Sequence, residues 1–157
     1  MANTAISDIG SQIQMSGGSE HIEPAVSGGS IYAGMCVYFD KDDSYKAKPI
    51  DANSATAGLS FIGIVDRHYS IGLDDAITAG VVCNVLVPKS GRLYNVFIED
   101  FGAAGPKGSP LTFGTTTAGS LMLSTGTTGN LESTANIVAY LEKAVANEDT
   151  VALVRWA

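Results

Sequence analysis

Charge is what this chain has least of. Lysine, arginine, aspartate and glutamate make up 16% of its 157 residues, where an ordinary soluble domain carries roughly a quarter. The nine basic residues, among them Lys41, Lys46, Lys48, Arg67 and Arg155, are scattered, and the net charge is −7. A nucleic-acid binder needs clustered cations to meet phosphates, so nucleic acid is not expected as a partner, nor is an anionic membrane surface. Long apolar runs are missing too. No stretch approaches about 18 consecutive apolar residues, so no bilayer-spanning segment is expected. The opening residues, Met1 to Asp8, lack the basic start and apolar run of a signal peptide, and there is no Asn-X-Ser/Thr acceptor. Synthesis and folding in a cytoplasm are the expectation.

Cysteine and histidine are equally sparse, with two of each. Cys36 and Cys83 sit in strand-like runs and form neither a disulfide framework nor a zinc-ligand spacing. Small core residues with free thiols are expected, with a disulfide left open should their two strands be neighbours. What the chain does have is apolar content, 45% of it, enough for the core of one domain but not of two independent ones.

Residues 1–30 read as an extended arm. Isolated apolar residues (Ile6, Ile9, Ile13, Met15) punctuate a polar stretch, and Gly17-Gly18-Ser19 and Gly28-Gly29-Ser30 bracket a short segment containing His21 and Ile22. Gly/Ser spacing favours an extended, adaptable chain. The widely spaced isoleucines suit docking into pockets on another surface, whereas a frayed tail would have no use for them.

From residue 31 onward short runs of β-branched and aromatic residues alternate with turn residues. Strands are predicted at 31–39, 61–65, 81–87, 92–98, 110–113, 120–123, 137–141 and 151–156. Those at 81–87 and 92–98, joined through Pro88 and Ser90-Gly91, are expected to form a hairpin. Helix is scarce: one turn is conceivable at 73–79, and 131–145 is assigned to strand because Ile137, Val138 and Tyr140 favour it. About eight or nine short strands at this spacing predict an all-β fold, a compact barrel or sandwich, as a single domain over 31–157.

A weak repeat runs through that domain. Gly34-Met35-Cys36-Val37-Tyr38-Phe39 and Gly108-Ser109-Pro110-Leu111-Thr112-Phe113 share the pattern Gly-x-x-aliphatic-x-Phe. Each is followed by an apolar strand and then by an alternating one, which suggests two similar β units at 31–91 and 105–157. Glycine makes the tight turn, and the aliphatic residue and Phe, two apart, share one face. Val37, Phe39, Ile62, Ile64, Val85, Val87, Leu111, Phe113, Val151 and Leu153 are the predicted core. Trp156 is read either as a lid on that core or as an interface anchor.

Residues able to do chemistry are present but never in a working combination. His21 lies in the arm, and His68, in Asp66-Arg67-His68-Tyr69, falls in a loop with no nucleophile elbow beside it. Asp40, Asp42 and Asp43 lack the glycine and terminal glutamate of a calcium loop. Glu99 and Asp100 are adjacent, so on a strand they point to opposite faces. The glycine-rich run 102–109 lacks the Gly-Lys-Ser/Thr ending and the following helix of a phosphate loop. No catalytic residue, cofactor or metal site is assigned.

The order of features at residues 31–37, 61–65, 79–87 and 108–113 resembles the head decoration, or capsid cement, proteins of tailed bacteriophages. In these a polar N-terminal region precedes a Gly-x-x-Val strand, an Ile-Gly-Ile/Val strand, an Ala-Gly turn with a Val-rich strand, and a second Gly-x-x-Leu unit. The likeness spans most of 30–157; the long Gly/Ser-rich arm departs from it. It implies a β-rich, often trimeric virion protein on the outer capsid surface that bridges major capsid protein subunits, with no enzymatic activity. Ile6, Ile9, Ile13, Met15 and Ile22 are then the arm residues that bind a neighbour. A tail or spike component is the nearest alternative. A carbohydrate-binding sandwich is another, and it would need Tyr32, Tyr38, Tyr69 and Tyr94 to form an exposed platform.

Overall fold

The computed structural model describes residues 21–51, 63–124 and 137–157. They form ten strands: β1 (His21–Val26), β2 (Cys36–Asp40), β3 (Lys46–Pro49), β4 (Gly63–Val65), β5 (Val82–Val87), β6 (Leu93–Phe97), β7 (Pro110–Phe113), β8 (Leu121–Leu123), β9 (Ala139–Leu141) and β10 (Val151–Trp156). Among the described residues the helical content is one 3-10 turn, Lys41–Asp43. The protein is therefore all-β. Its strands make two antiparallel five-stranded sheets, ordered β1-β5-β4-β2-β3 and β6-β10-β9-β7-β8.

These two orders are one order written twice, each strand of the first sheet matching the strand five labels later in the second. Register repeats as well. Val37 lies opposite Gly63 as Leu111 lies opposite Ala139, Val65 opposite Val85 as Leu141 opposite Val154, and Ala25 opposite Cys83 as Val96 opposite Ala152. Gly34 and Gly108, at φ +92° and +88°, supply the left-handed turn before β2 and β7, a conformation that costs glycine little. Each sheet then curls until its first and third strands meet. Ser27, just past β1, bridges Ala47 of β3, and Ile98, just past β6, bridges Leu121 of β8.

The curling gives each unit its own interior. In the first, Ala25, Ile31, Val37, Ala47, Val65, Ile77, Cys83 and Val85 form one buried cluster. In the second the cluster includes Tyr94, Val96, Leu111, Leu121, Ala139, Leu141, Val145, Ala152 and Val154, and it reaches Cys36, Ile64 and Leu86 on the outer face of the first sheet. Each large apolar side chain removed from water contributes roughly 1.5–3 kcal/mol, and the second cluster runs across the junction between the units. Backbone bonds reinforce the junction: the Phe97 N–H donates to the Gly34 carbonyl at 3.1 Å and the Cys36 N–H to the Gly119 carbonyl at 2.8 Å.

Several expectations are corrected. The strands at 81–87 and 92–98 do not form a hairpin: β5 and β6 lie in different sheets, and β6 pairs with β10. The tight-looking connection between them is the link between units. Residues 73–79 form turns rather than helix, and Ile77 exchanges backbone bonds with Ile31. Residues 21–26, read as arm, are β1, paired along its length with β5. β3, with the sequence Lys-Ala-Lys-Pro, was not predicted because only Ala47 turns inward. Of the predicted core, Val37, Ile64, Val85, Leu111 and Val151 are buried, whereas Phe39, Val87, Phe113 and Leu153 are half-exposed. Ile62 lies outside the described residues. On β10 the interior face carries Ala152 and Val154, because period-two alternation sends Leu153 outward.

Candidate interaction surface

The residues able to do chemistry are each committed to structure. Glu99 is buried, and its Oε1 accepts the backbone N–H groups of Thr116 (2.6 Å) and Thr117 (2.9 Å), with the Ser120 hydroxyl at 3.4 Å. It latches the turn between β7 and β8. Asp100 points elsewhere, its Oδ1 accepting the Gly102 N–H at 2.7 Å. Asp40 and Asp43 meet Lys48, whose Nζ lies 2.9 Å from an oxygen of each, and Lys46 lies 2.9 Å from Asp43. Hydrogen bonds from these lysines hold both carboxyls below the usual carboxylate range. Asp40 and Asp43 thus belong to an ion-paired turn tip in which the lysines supply the countercharge. Among the described residues, no three His, Cys, Asp or Glu side chains converge as metal ligands do.

His68 lies in an exposed loop, stacked on Tyr69 with ring centroids 4.7 Å apart, and its Nδ1 accepts the Ser70 N–H at 3.2 Å. A groove of about 480 Å³ runs beside it, lined in part by Arg67, Tyr69, Val82, Cys83 and Asn84. The Ser70 hydroxyl lies 3.2 Å from His68 Nδ1 on the exposed side of this groove, and Cys83 is its buried nucleophile. Burial pushes its thiol pKa up, so it stays protonated and weakly nucleophilic. Cys36 is raised by burial in the same way. The two thiols are free; β4 separates their strands, and their side chains belong to different clusters.

Of the predicted arm residues, Ile6, Ile9, Ile13 and Met15 lie outside the described residues. Ile22 is on β1, 48% exposed. Trp156 is half-buried, packs against the core and meets Tyr94 edge-on at 6.3 Å, the geometry of a lid. The four tyrosines do not form a platform. Tyr94 is fully buried, Tyr32 and Tyr38 are half-buried, and Tyr69 alone of the four stands out, 93% exposed.

The surface that does stand out is the outer face of β1 and β5. Ile22 and Val26 project from it along β1, and Val82, paired with Val26, projects from β5. They are 48%, 38% and 58% exposed. Sequence reasoning found Ile22 but gave it to the arm, and it paired 81–87 with 92–98 instead of with β1. The missed signal is the alternation Ile22, Pro24, Val26, a strand pattern obscured by its proline.

No family model matches the chain, and no curated protein matches it. Two solved structures share its fold. A chain of the capsid of Myoviridae phage XM1 aligns over 90% of this chain and 86% of its own length, with a TM-score of 0.59 and 22% identity. The head fiber gp8.5 N base of bacteriophage phi29 aligns over 88% of this chain and 95% of its own, with a TM-score of 0.51 and 12% identity. At these identities the kinship is one of architecture: this chain has the fold seen in both phage head proteins.

Proposed function

We propose that the chain is a non-enzymatic structural protein of a bacteriophage virion. In this reading it is a decoration protein that sits on the outer surface of the head, assembles as a homotrimer and stabilises the shell by bridging major capsid protein subunits. The observation that carries it is the near full-length sharing of fold with a chain of a phage capsid. The site chemistry supports it from another side. Carboxylates and histidines serve turns and ion pairs, while the exposed aliphatic residues Ile22, Val26 and Val82 gather on one sheet face, as an adhesive protein requires. Many copies binding together turn a modest contact into a strong one.

Ile6, Ile9, Ile13, Met15 and Ile22 are the proposed contacts to the neighbouring subunit, the arm adding backbone hydrogen bonds as an extra strand. Co-sedimentation with capsids that lack the protein tests the role. Wild type should pellet with the particles and raise their melting temperature, and a chain lacking residues 1–20 should stay in the supernatant. Wild type that fails to pellet would refute the decoration role, and mass measurement of the free protein tests the trimer. The phi29 likeness supports a second reading, the base of a head fibre. Electron microscopy of virions would then show density projecting beyond the shell at this protein's position.

A further inference from the structure

The junction between the two units runs in one direction. The first unit gives its 32–35 turn and the outer face of its sheet, where Ile64 packs into the second unit's cluster. The second unit receives them on β6 and β10. There Phe97 and Val151, 9% and 3% exposed, lie under Tyr32, Met35 and Leu73. The Phe97 N–H donates to the Gly34 carbonyl at 3.1 Å. Gly119, at φ +79°, is wedged into the same junction. Its carbonyl accepts the Cys36 N–H, its N–H donates to Ile50, and a Cβ on it would come within 3.0 Å of Met35.

Matching register carries each of these positions into the other unit. The Phe97–Val151 pair corresponds to Val26 and Val82, which are 38% and 58% exposed. Gly119, two residues before Leu121, corresponds to Tyr45, two residues before Ala47. Tyr45 keeps the left-handed backbone, at φ +56°, a conformation bulky side chains seldom adopt, and it is 69% exposed. On the giving side, Ile64 corresponds to Tyr140, 41% exposed. Six large hydrophobic side chains are exposed among the described residues, and these four are most of them. The exposed apolar surface is therefore largely the same junction with its counterpart missing: a receiving surface on the first unit and a giving surface on the second.

Two unlike ends of one repeated contact fit a second copy of the chain. Gly108 stands where Gly34 does, at φ +88° against +92°, and the N–H of each donates 2.8 Å to the carbonyl of its own unit, Leu141 or Val65. The Gly108 carbonyl would then accept the Val26 N–H of the next copy. Closure of β1 on β3 at Ser27 and Ala47 does not block this. The same closure, Ile98 on Leu121, coexists with the Gly34 bond in the second unit. The giving surface is more polar than its template. Pro106, Lys107 and Ser109 replace Tyr32, Ala33 and Met35, and Pro110, without an N–H, replaces Cys36. Less apolar area is buried, so the contact between copies is weaker than the internal one and reversible.

We propose that copies of this chain associate head to tail, Tyr140 and the Gly108 turn of one packing on Val26, Val82 and Tyr45 of the next. A contact between unlike surfaces either closes into a ring or grows into a filament. The proposal rests on the homotrimer reading above, in which the ring closes at three.

Sedimentation of the full-length protein tests it, with Val82→Asp spoiling the receiving surface and Tyr140→Asp the giving one. Wild type should sediment as an oligomer and each variant as a monomer with unchanged β circular dichroism. An equimolar mixture of the two variants should give dimers and nothing larger, because one intact contact remains per pair. Val26→Asp and Tyr140→Lys repeat the test on the same surfaces should either variant lose its fold. An oligomer that survives Tyr140→Asp, or monomeric variants that fail to pair on mixing, would overturn the head-to-tail contact and leave the homotrimer standing. Wild type that stays monomeric at every soluble concentration would remove the homotrimer and this contact together.

Discussion

The two units solve one packing problem with different side chains. Their interiors match position for position, yet the first fills its centre from the loops, with Ile31 and Ile77, and keeps its strands small with Ala25, Val37, Ala47 and Val65. The second reverses this. The counterparts of Ile31 and Ile77 are Gly105 and Val145, and the strands carry Val96, Leu111, Leu121 and Leu141. A Cβ on Gly105 would come within 2.9 Å of Leu141 and 3.0 Å of Val145, so the space that Ile31 occupies in one unit is already taken by a leucine in the other. Interior volume is conserved while its source shifts from loop to strand, which is why the repeat is plain in topology and faint in sequence.

The turn between second and third strands differs in the same spirit. In the first unit it is fastened at the surface by the Asp40, Asp43, Lys46 and Lys48 ion pairs. In the second it is fastened from within by Glu99. A buried carboxylate whose partners are backbone N–H groups cannot be exchanged for solvent without loss, whereas exposed ion pairs contribute little.

This contrast can be broken at several points. Truncating the filler of either interior, Ile31→Ala or Leu141→Ala, should cost about 2–5 kcal/mol in urea unfolding. A much smaller loss at Ile31 would mean that the first barrel is loosely filled. Glu99→Ala should cost about 1–3 kcal/mol by stranding the Thr116 and Thr117 amides, and Glu99→Gln, which keeps an acceptor oxygen, should recover part of it. Gly63→Ala should cost about 1–3 kcal/mol, because a Cβ there meets the Val85 side chain and the Leu86 carbonyl, although the matching position on β9 is Ala139. Leu141→Val should relieve the strain of Gly105→Ala, giving a favourable coupling of about 0.5–3 kcal/mol in a double-mutant cycle; strict additivity would show that the two do not share the space.

The smallest effect is electrostatic. Asp40, Asp43 and Glu142 have carboxyl pKa values lowered in the folded state by hydrogen bonds from lysine or arginine. A depressed pKa means stability present above the unfolded value and lost as pH falls through the folded one. Thermal melts should therefore decline in acid, below the ordinary carboxylate range, and slightly less in Asp43→Asn than in wild type, since that variant has already lost one of the pairs.

Much of the fold was legible. The strands at 110–113 and 151–156 were predicted at their observed bounds, since Leu111 with Phe113 and the run before Trp156 carry clear alternation. β1 and β3 were not seen because Pro24, Lys46, Lys48 and Pro49 mask the pattern, and both are edge strands in the sheet order, where proline and lysine are tolerated. Glu99 was weighed as an acid and proved to be a latch, a role that depends on a turn some 17 residues away. The open β1–β5 face was equally hidden, because exposure depends on what packs above a strand.

By itself the sequence determined that this is a β protein with little helix and few charges, because alternation, turn glycines and composition act locally along the chain. Which strands pair, how each sheet closes, and which apolar face is covered were decided only in three dimensions. Those outcomes depend on contacts between distant segments, and the same Val-rich strand is core in one setting and surface in another.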